Sequence, residues 1–163
     1  MAHLAGGANA DDGRVNRSTL PHGHRPDAGP QPLAVPPATL QTYLVEDSPV
    51  IRDNLVGFLE DATRATVVAC ASTEDEAVAW LKAHPDGWDV AIVDLFLGQG
   101  NGLGVVRACR YRRRTQKVVV FTNYATPDMR SRAAQLGADA FFDKSSEIEA
   151  LVAYCENLPG VGR

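Results

Sequence analysis

Asp94 closes the apolar run Val90-Ala91-Ile92-Val93 and opens the turn Gly98-Gln99-Gly100-Asn101-Gly102. Glu46-Asp47 closes an earlier run, Thr42-Tyr43-Leu44-Val45, and Thr122 closes Lys117-Val118-Val119-Val120-Phe121. Ala140-Phe141-Phe142 runs into Asp143-Lys144. If these runs lie side by side, three carboxylates, a hydroxyl and an ammonium meet at one edge. Carboxylates gathered in that way repel, raise one another's pKa values and destabilise a site that holds no cation. Mg²⁺ removes the conflict, because it takes oxygen ligands in octahedral geometry from one or two carboxylates, waters and phosphate oxygens. A carboxylate beside Mg²⁺ can attack phosphorus to give an aspartyl phosphate. The oxygens of the transferring group then need donors, which Lys144 and Thr122 supply in kind. Taken singly, Lys144 is an ordinary loop lysine, Thr122 a strand end and Phe141 a core aromatic. Their joint placement carries the reading.

The elements that must position these groups follow from periodicity. Thr42–Val45, Thr66–Ala71, Val90–Val93, Lys117–Phe121 and Ala140–Phe142 read as five strands, the second and third as buried ones. Ser48-Pro49 reads as an N-cap with proline at the first helical position, and Val50, Ile51, Asn54, Leu55, Phe58 and Leu59 recur at helical spacing to about Asp61. Thr73 with Glu76 makes a capping box ahead of Ala77, Trp80 and Leu81. A third helix faces Val105, Val106 and Cys109 inward, and a fourth carries Met129, Ala133 and Leu136 from Pro127 to Gly137. Ser146 with Glu149 suggests another capping box for a fifth helix, striped by Ile148, Leu151, Val152, Cys155 and Leu158. Strands alternating with helices imply an α/β fold, a doubly wound five-stranded parallel sheet covered on both faces. The Gly-x-Gly-x-x-Gly fingerprint of dinucleotide binding should follow the first strand; Glu46-Asp47-Ser48-Pro49 stands there instead.

Residues 1–39 differ in kind. They hold Pro21, Pro26, Pro30, Pro32, Pro36 and Pro37 together with His3, His22 and His24, and no periodicity, so a disordered tail is expected. The folded domain should span 40–158, with 159–163 a short C-terminal tail. Apolar residues at 45% with 22% charged are what a buried core needs, and the net charge of −4 argues against nucleic acid as a direct partner. No apolar run reaches the ~20 residues of a membrane span, and no signal peptide is evident. Cys70, Cys109 and Cys155 are scattered as buried thiols would be in a reducing cytoplasm. The run Arg107, Arg110, Arg112, Arg113, Arg114 and Lys117 is explained most simply by cations favoured at the C-terminus of the third helix and in the loop after it.

On these residues the chain resembles a CheY-like receiver domain of the bacterial two-component response regulators, over about three quarters of its length. Glu46-Asp47 matches the family's acidic pair and Asp94 its phosphoacceptor; Asp94-Leu95-Phe96-Leu97-Gly98-Gln99-Gly100-Asn101-Gly102 is similar to Asp-Leu-x-Leu-Pro-x-x-Asp-Gly. Thr122 matches the switch Thr/Ser, Phe141 the switch aromatic and Lys144 the invariant-type lysine. The resemblance implies the flavodoxin-like (βα)5 fold with strand order 2-1-3-4-5. It implies Mg²⁺ held by Glu46, Asp47, Asp94 and the backbone carbonyl of Phe96, with Asp94, Lys144 and Thr122 performing the chemistry. It implies a stand-alone cytoplasmic switch that catalyses only its own phosphorylation and dephosphorylation. The donor would be a histidine kinase or phosphotransfer protein, the output a partner protein. The surface of the fourth helix, fifth strand and fifth helix would signal, as a monomer or weak dimer.

Three departures stand out. Gly98 replaces the usual proline, loosening the turn after the nucleophile. Asn123 stands where Ala or Gly is usual, and Phe96 and Tyr124 occupy the positions that in this family modulate loss of the phosphoryl group. Phe141 lacks a hydroxyl and so has no polar reason to stay at the surface. The rival reading is a pseudo-receiver that binds partners without phosphorylation, supported by Gly98 and Asn123 alone. A haloacid-dehalogenase-type phosphatase needs a DxD motif, and Phe96 occupies the second Asp.

Overall fold

The computed structural model describes residues 38–159, together with Gly29. The chain divides into two units between Ala34 and Val35, and the second holds every strand and helix of the described residues. The disordered tail expected over 1–39 lies, apart from Gly29, Ala38 and Thr39, outside the described residues, as do 160–163 of the short C-terminal tail.

Five strands alternate with five helices: β1 (Leu40–Val45), α1 (Pro49–Ala62), β2 (Ala65–Ala71), α2 (Glu74–Ala83), β3 (Val90–Val93), α3 (Gly102–Ala108), β4 (Lys117–Thr122), α4 (Pro127–Gln135), β5 (Ala140–Asp143) and α5 (Ile148–Asn157). All strand pairings are parallel and the order is β2-β1-β3-β4-β5. This is the doubly wound flavodoxin-like arrangement read from the sequence.

Alternation along the central strands divides the core in two. Val90 and Ile92 pack with Leu44, Leu55, Leu59, Leu151 and Cys155 on the α1/α5 face. Ala91 and Val93 pack with Tyr43, Ala77, Leu81, Val105, Val106 and Ala133 on the α2/α3/α4 face. β3 is buried at all four positions, which explains its unbroken apolar run. Each fully buried Val, Leu or Ile contributes roughly 1.5–3 kcal/mol of transfer free energy, so these two layers set the sheet's position before any polar group is considered.

Five local expectations need correction. β2 is a sheet edge with alternating burial, and Val68 is exposed. Its β-branched run reflects strand propensity on a half-covered face. Cys109 and Cys155 are buried thiols as expected, but Cys70, on β2, is exposed. In α1 only Leu55 and Leu59 are buried, while Val50, Ile51 and Phe58 stay at the surface. In α2, Thr73 accepts from the Glu76 N–H, but Glu76 returns the bond to Ser72 rather than to Thr73. The Ser146/Glu149 capping box does not form. α5 starts after Glu147, whose carboxylate accepts from the Asp143 N–H (2.7 Å), and Asp143 in turn holds the Ser145 N–H and hydroxyl.

At the amino-terminal edge of the sheet, side chains knot the loops together. Arg112, in the loop after α3, spends its guanidinium on the carbonyls of Cys109, Gln116 and Gly137 and on the Asp139 carboxylate (2.7 Å). The buried Gln116 side chain donates to the Pro85 and Trp88 carbonyls and accepts from the Arg113 N–H. Arg112 therefore has a tertiary role beyond the helix-end electrostatics expected of the arginine run. Nearby, Arg64 reaches the Ala38 carbonyl with Nη1 (3.0 Å) and the Leu158 carbonyl with Nη2 (3.1 Å).

Candidate functional site

β1, β3, β4 and β5 run in the same direction and end together, so the residues that follow them converge. Asp94 continues directly from β3, its N–H donating to the Val45 carbonyl of β1 (2.9 Å). Glu46, at the end of β1, bonds to the Ala71 carbonyl of β2 (3.0 Å). Lys144 donates its N–H to the Thr122 carbonyl (3.0 Å), tying the end of β5 to the end of β4. Gly102, the first residue of α3, runs so close beneath this edge that a Cβ would collide with the Asp94 carbonyl oxygen; only glycine fits.

Carboxylate oxygens of Glu46, Asp47 and Asp94 lie within 4.8 Å of one another. Into this cluster Lys144 projects a nearly buried ammonium, 2.8 Å from Asp94 Oδ2 and hydrogen-bonded to Glu46 Oε2. Glu46 is only 2% exposed and also accepts from the Ser48 N–H (3.0 Å). Three carboxylates against one ammonium leave two negative charges in excess. Burial pushes the Glu46 carboxyl up, against the pull of Lys144 and the Ser48 N–H. Burial works to lower Lys144, yet its bonds to Asp94 and Glu46 outweigh that and leave it raised. Both groups hold protons more tightly than usual, Glu46 because it is buried and Lys144 because it is bonded to two carboxylates. An all-oxygen donor set with two uncompensated negative charges fits a hard divalent cation such as Mg²⁺.

Asp47 is fixed from the loop that follows Asp94. Its Oδ2 accepts from the Gly98 N–H at 2.7 Å. Proline at that position would have no hydrogen to give, so the departure from the family pattern creates this contact. The same loop is held from α2, where the Glu74 carboxylate accepts from the Asn101 N–H (2.7 Å), and Asn101 caps α3 by accepting from Leu103. Far from loosening the turn, Gly98 is part of what ties it.

Thr122 is fully buried, and its hydroxyl accepts from the Tyr124 N–H (3.4 Å). Phe96 and Tyr124, each about half exposed, lie tilted against each other with ring centroids 3.7 Å apart and join the ends of β3 and β4. Asn123 is exposed and lines a groove with Ile51, Asn54, Leu55, Phe58, Phe121, Lys144 and Ile148. Phe141 packs half-buried against the α2/α3/α4 core, beneath the guanidinium of Arg130. Sequence reasoning brings Glu46, Asp47, Asp94 and Lys144 together as the structure does, and leaves out the Gly98 bond, the Glu74 tie and Arg130. The missing proline is the available signal for the first; the other two span elements and leave no local pattern.

Among the described residues no helix is long and apolar enough to cross a membrane. Residues 42–156 match the family described as response regulator receiver domain. The chain is 33% identical over 120 residues to the photosynthetic apparatus regulatory protein RegA of Cereibacter sphaeroides, covering 71% of this chain and 63% of that one. It is 31% identical over 120 residues to the acid tolerance regulatory protein ActR of Sinorhizobium medicae, covering 71% and 61%. The match thus spans about three fifths of these curated relatives. A Burkholderia pseudomallei response regulator, solved with a phosphorylated aspartic acid, a calcium ion and citrate, superposes with a TM-score of 0.61 at 28% identity, covering 72% of this chain and 67% of that one.

Proposed function

The chain belongs to the response regulator receiver domain family, and on that premise we propose that it is a phosphoacceptor switch using Asp94. The observation that carries this reading is the Lys144 ammonium between Asp94 and Glu46 in a cluster still short of two positive charges. The phosphorylated aspartic acid and calcium ion of the Burkholderia pseudomallei relative support it by likeness. Asp47, Asp94, Glu46 and the Phe96 carbonyl would hold Mg²⁺, which when bound offsets charge on the carboxylates and on the phosphoryl oxygens. The donor is a phosphohistidine on a kinase or phosphotransfer protein. An Asp94 carboxylate oxygen attacks phosphorus, the P–N bond breaks, and the imidazole leaves with its electron pair and takes up a proton. Lys144 exchanges a carboxylate partner for a phosphoryl oxygen, and Thr122 turns its hydroxyl to donate to another. That movement frees space behind Thr122 into which Phe141 rotates, changing the α4–β5–α5 surface that a partner protein reads. The exposed Val50, Ile51 and Phe58 of α1, beside the groove that reaches Lys144, suit a protein donor better than a small one.

The functional unit is assigned to 40–158, with 1–39 and 159–163 as accessory tails; removing 1–37 should leave labelling and the urea midpoint unmoved. The decisive experiment mixes the protein with acetyl phosphate and Mg²⁺. One acid-stable, base-labile phosphoryl group should appear on Asp94, be absent from Asp94→Asn, and persist in Lys144→Ala without the surface change. Label on Asp47 or a histidine, with Asp94→Asn still labelled, would end the reading.

A further inference from the structure

Phe141 has a polar neighbour that its own side chain gives no hint of. Arg130, on α4, places its guanidinium carbon 4.8 Å from the Phe141 ring centroid. Its Nη1 donates to the Phe141 carbonyl (3.1 Å), and its Nη2 pairs with Glu147 Oε2 (2.8 Å). The same Glu147 oxygen accepts from the N–H of Asp143 (2.7 Å), the residue that precedes Lys144. One planar cation thus covers the ring, binds its backbone and joins α4 to the residue that opens α5. Arginine can do all three because its fork keeps two N–H edges available while its face lies on an aromatic; an ammonium is a single point.

We propose that Arg130 is a positioning residue for the phosphorylation switch, holding Phe141 in the arrangement in which Lys144 pairs with Asp94. The proposal rests on the roles given above to Asp94 and Phe141. Rotation of the ring toward Thr122 carries it out from under the guanidinium, whereas the bonds to the Phe141 carbonyl and Glu147 survive. A contact made in only one of two packings biases the equilibrium toward that packing. The absent hydroxyl of Phe141 is therefore compensated from α4, and the ring has a reason to stay where it is. By reciprocity, whatever weakens the cover must strengthen binding of a ligand that favours the rotated ring.

The test uses the full chain grown with 4-fluorophenylalanine, the Phe141 fluorine resonance being assigned by its loss in Phe141→Leu. Beryllofluoride with Mg²⁺ serves as the phosphoryl mimic. In wild type the resonance should move on addition of beryllofluoride. In Arg130→Ala it should lie part of the way there before any addition, and the apparent dissociation constant for beryllofluoride should fall about fivefold, at the low end of ordinary allosteric couplings. Arg130→Lys should restore part of the wild-type position. Arg132→Ala, which removes a neighbouring α4 cation paired with Asp128, should behave as wild type. An unmoved Phe141 resonance in folded Arg130→Ala, or an equal shift in Arg132→Ala, would overturn the proposal. The two readings fail separately. Wild type that binds no beryllofluoride counts against Asp94 as phosphoacceptor, while the ring position in Arg130→Ala without ligand still judges Arg130.

Discussion

The two ends of this sheet bury charge in opposite ways. At the amino-terminal edge Arg112 meets one carboxylate and three main-chain carbonyls, and every partner is a fixed part of a loop. At the carboxyl-terminal edge Lys144, equally withdrawn from solvent, meets two carboxylates and a third stands close by. At the first edge Arg112 and Asp139 balance each other and close loops. The second carries an excess that only a cation or a proton can relieve, and its ammonium can change partners without unfolding anything. A buried ion pair stabilises when every member is satisfied; left short of a partner, it becomes a site.

The sharpest way to break this contrast is Arg112→Met. It strips donors from three carbonyls and leaves Asp139 with the Val118 N–H but no cation, and should cost about 3 kcal/mol in urea unfolding, since one partner of a largely buried pair is lost. Mg²⁺ affinity and Asp94 labelling should not change. Equal damage to both would show that the two edges are not separate.

Next in size is a pH profile of stability without metal. Burial pushes the Cys109 thiol, beside the Arg112 knot, from 9.0 up to about 11. The unfolded chain ionises first, so stability should fall as pH rises from 9 to 11, by roughly 2 kcal/mol, and this term is absent from Cys109→Ala. Glu46, raised chiefly by burial, acts on the other side of neutrality. Unfolded chains ionise from 4.5 upward while the folded site resists, so stability falls as pH climbs through that interval. Glu46→Gln cannot ionise and should lack that fall; parallel curves for the two proteins would contradict the burial of the Glu46 carboxyl as its cause.

The smallest effect on stability belongs to Asp47→Asn. Its amide oxygen can still accept from Gly98, and one like charge is gone, so metal-free stability should rise by up to about 1 kcal/mol. Mg²⁺ affinity should fall at least about tenfold, ~1.4 kcal/mol, by isothermal titration. Undiminished Mg²⁺ binding would remove Asp47 from the ligand set.

Most of the fold and the make-up of the acidic edge are legible in the sequence because they are local. Apolar runs ending in Glu46, Asp94, Thr122 and Lys144 announce both the strands and the edge they share. The legibility stops where one residue type serves two environments. Thr66–Ala71 reads as a buried strand because β-branched residues suit either face, and only the strand order reveals β2 as an edge. Ser146 and Glu149 have capping-box spacing, yet Glu147 is taken by the Asp143 N–H and Arg130, partners that local spacing does not reveal. Arg112 and Arg130 look alike in the sequence; one knots loops and the other covers a ring, and the deciding partners, Gly137 and Asp139 for the first and Phe141 and Glu147 for the second, lie on other elements.

Arg64 has a geometric consequence. By holding the Ala38 and Leu158 carbonyls on one guanidinium, it brings the two ends of the domain to a single point on the side away from Asp94. Chains whose ends meet in this way tolerate being spliced into a host loop or reopened elsewhere. Joining 158 back to 38 through a short bridge and cutting at a surface turn yields a permuted ring whose acidic edge is untouched. It also means that a tether at either end pulls on the same spot, on the side of the sheet away from the acidic edge.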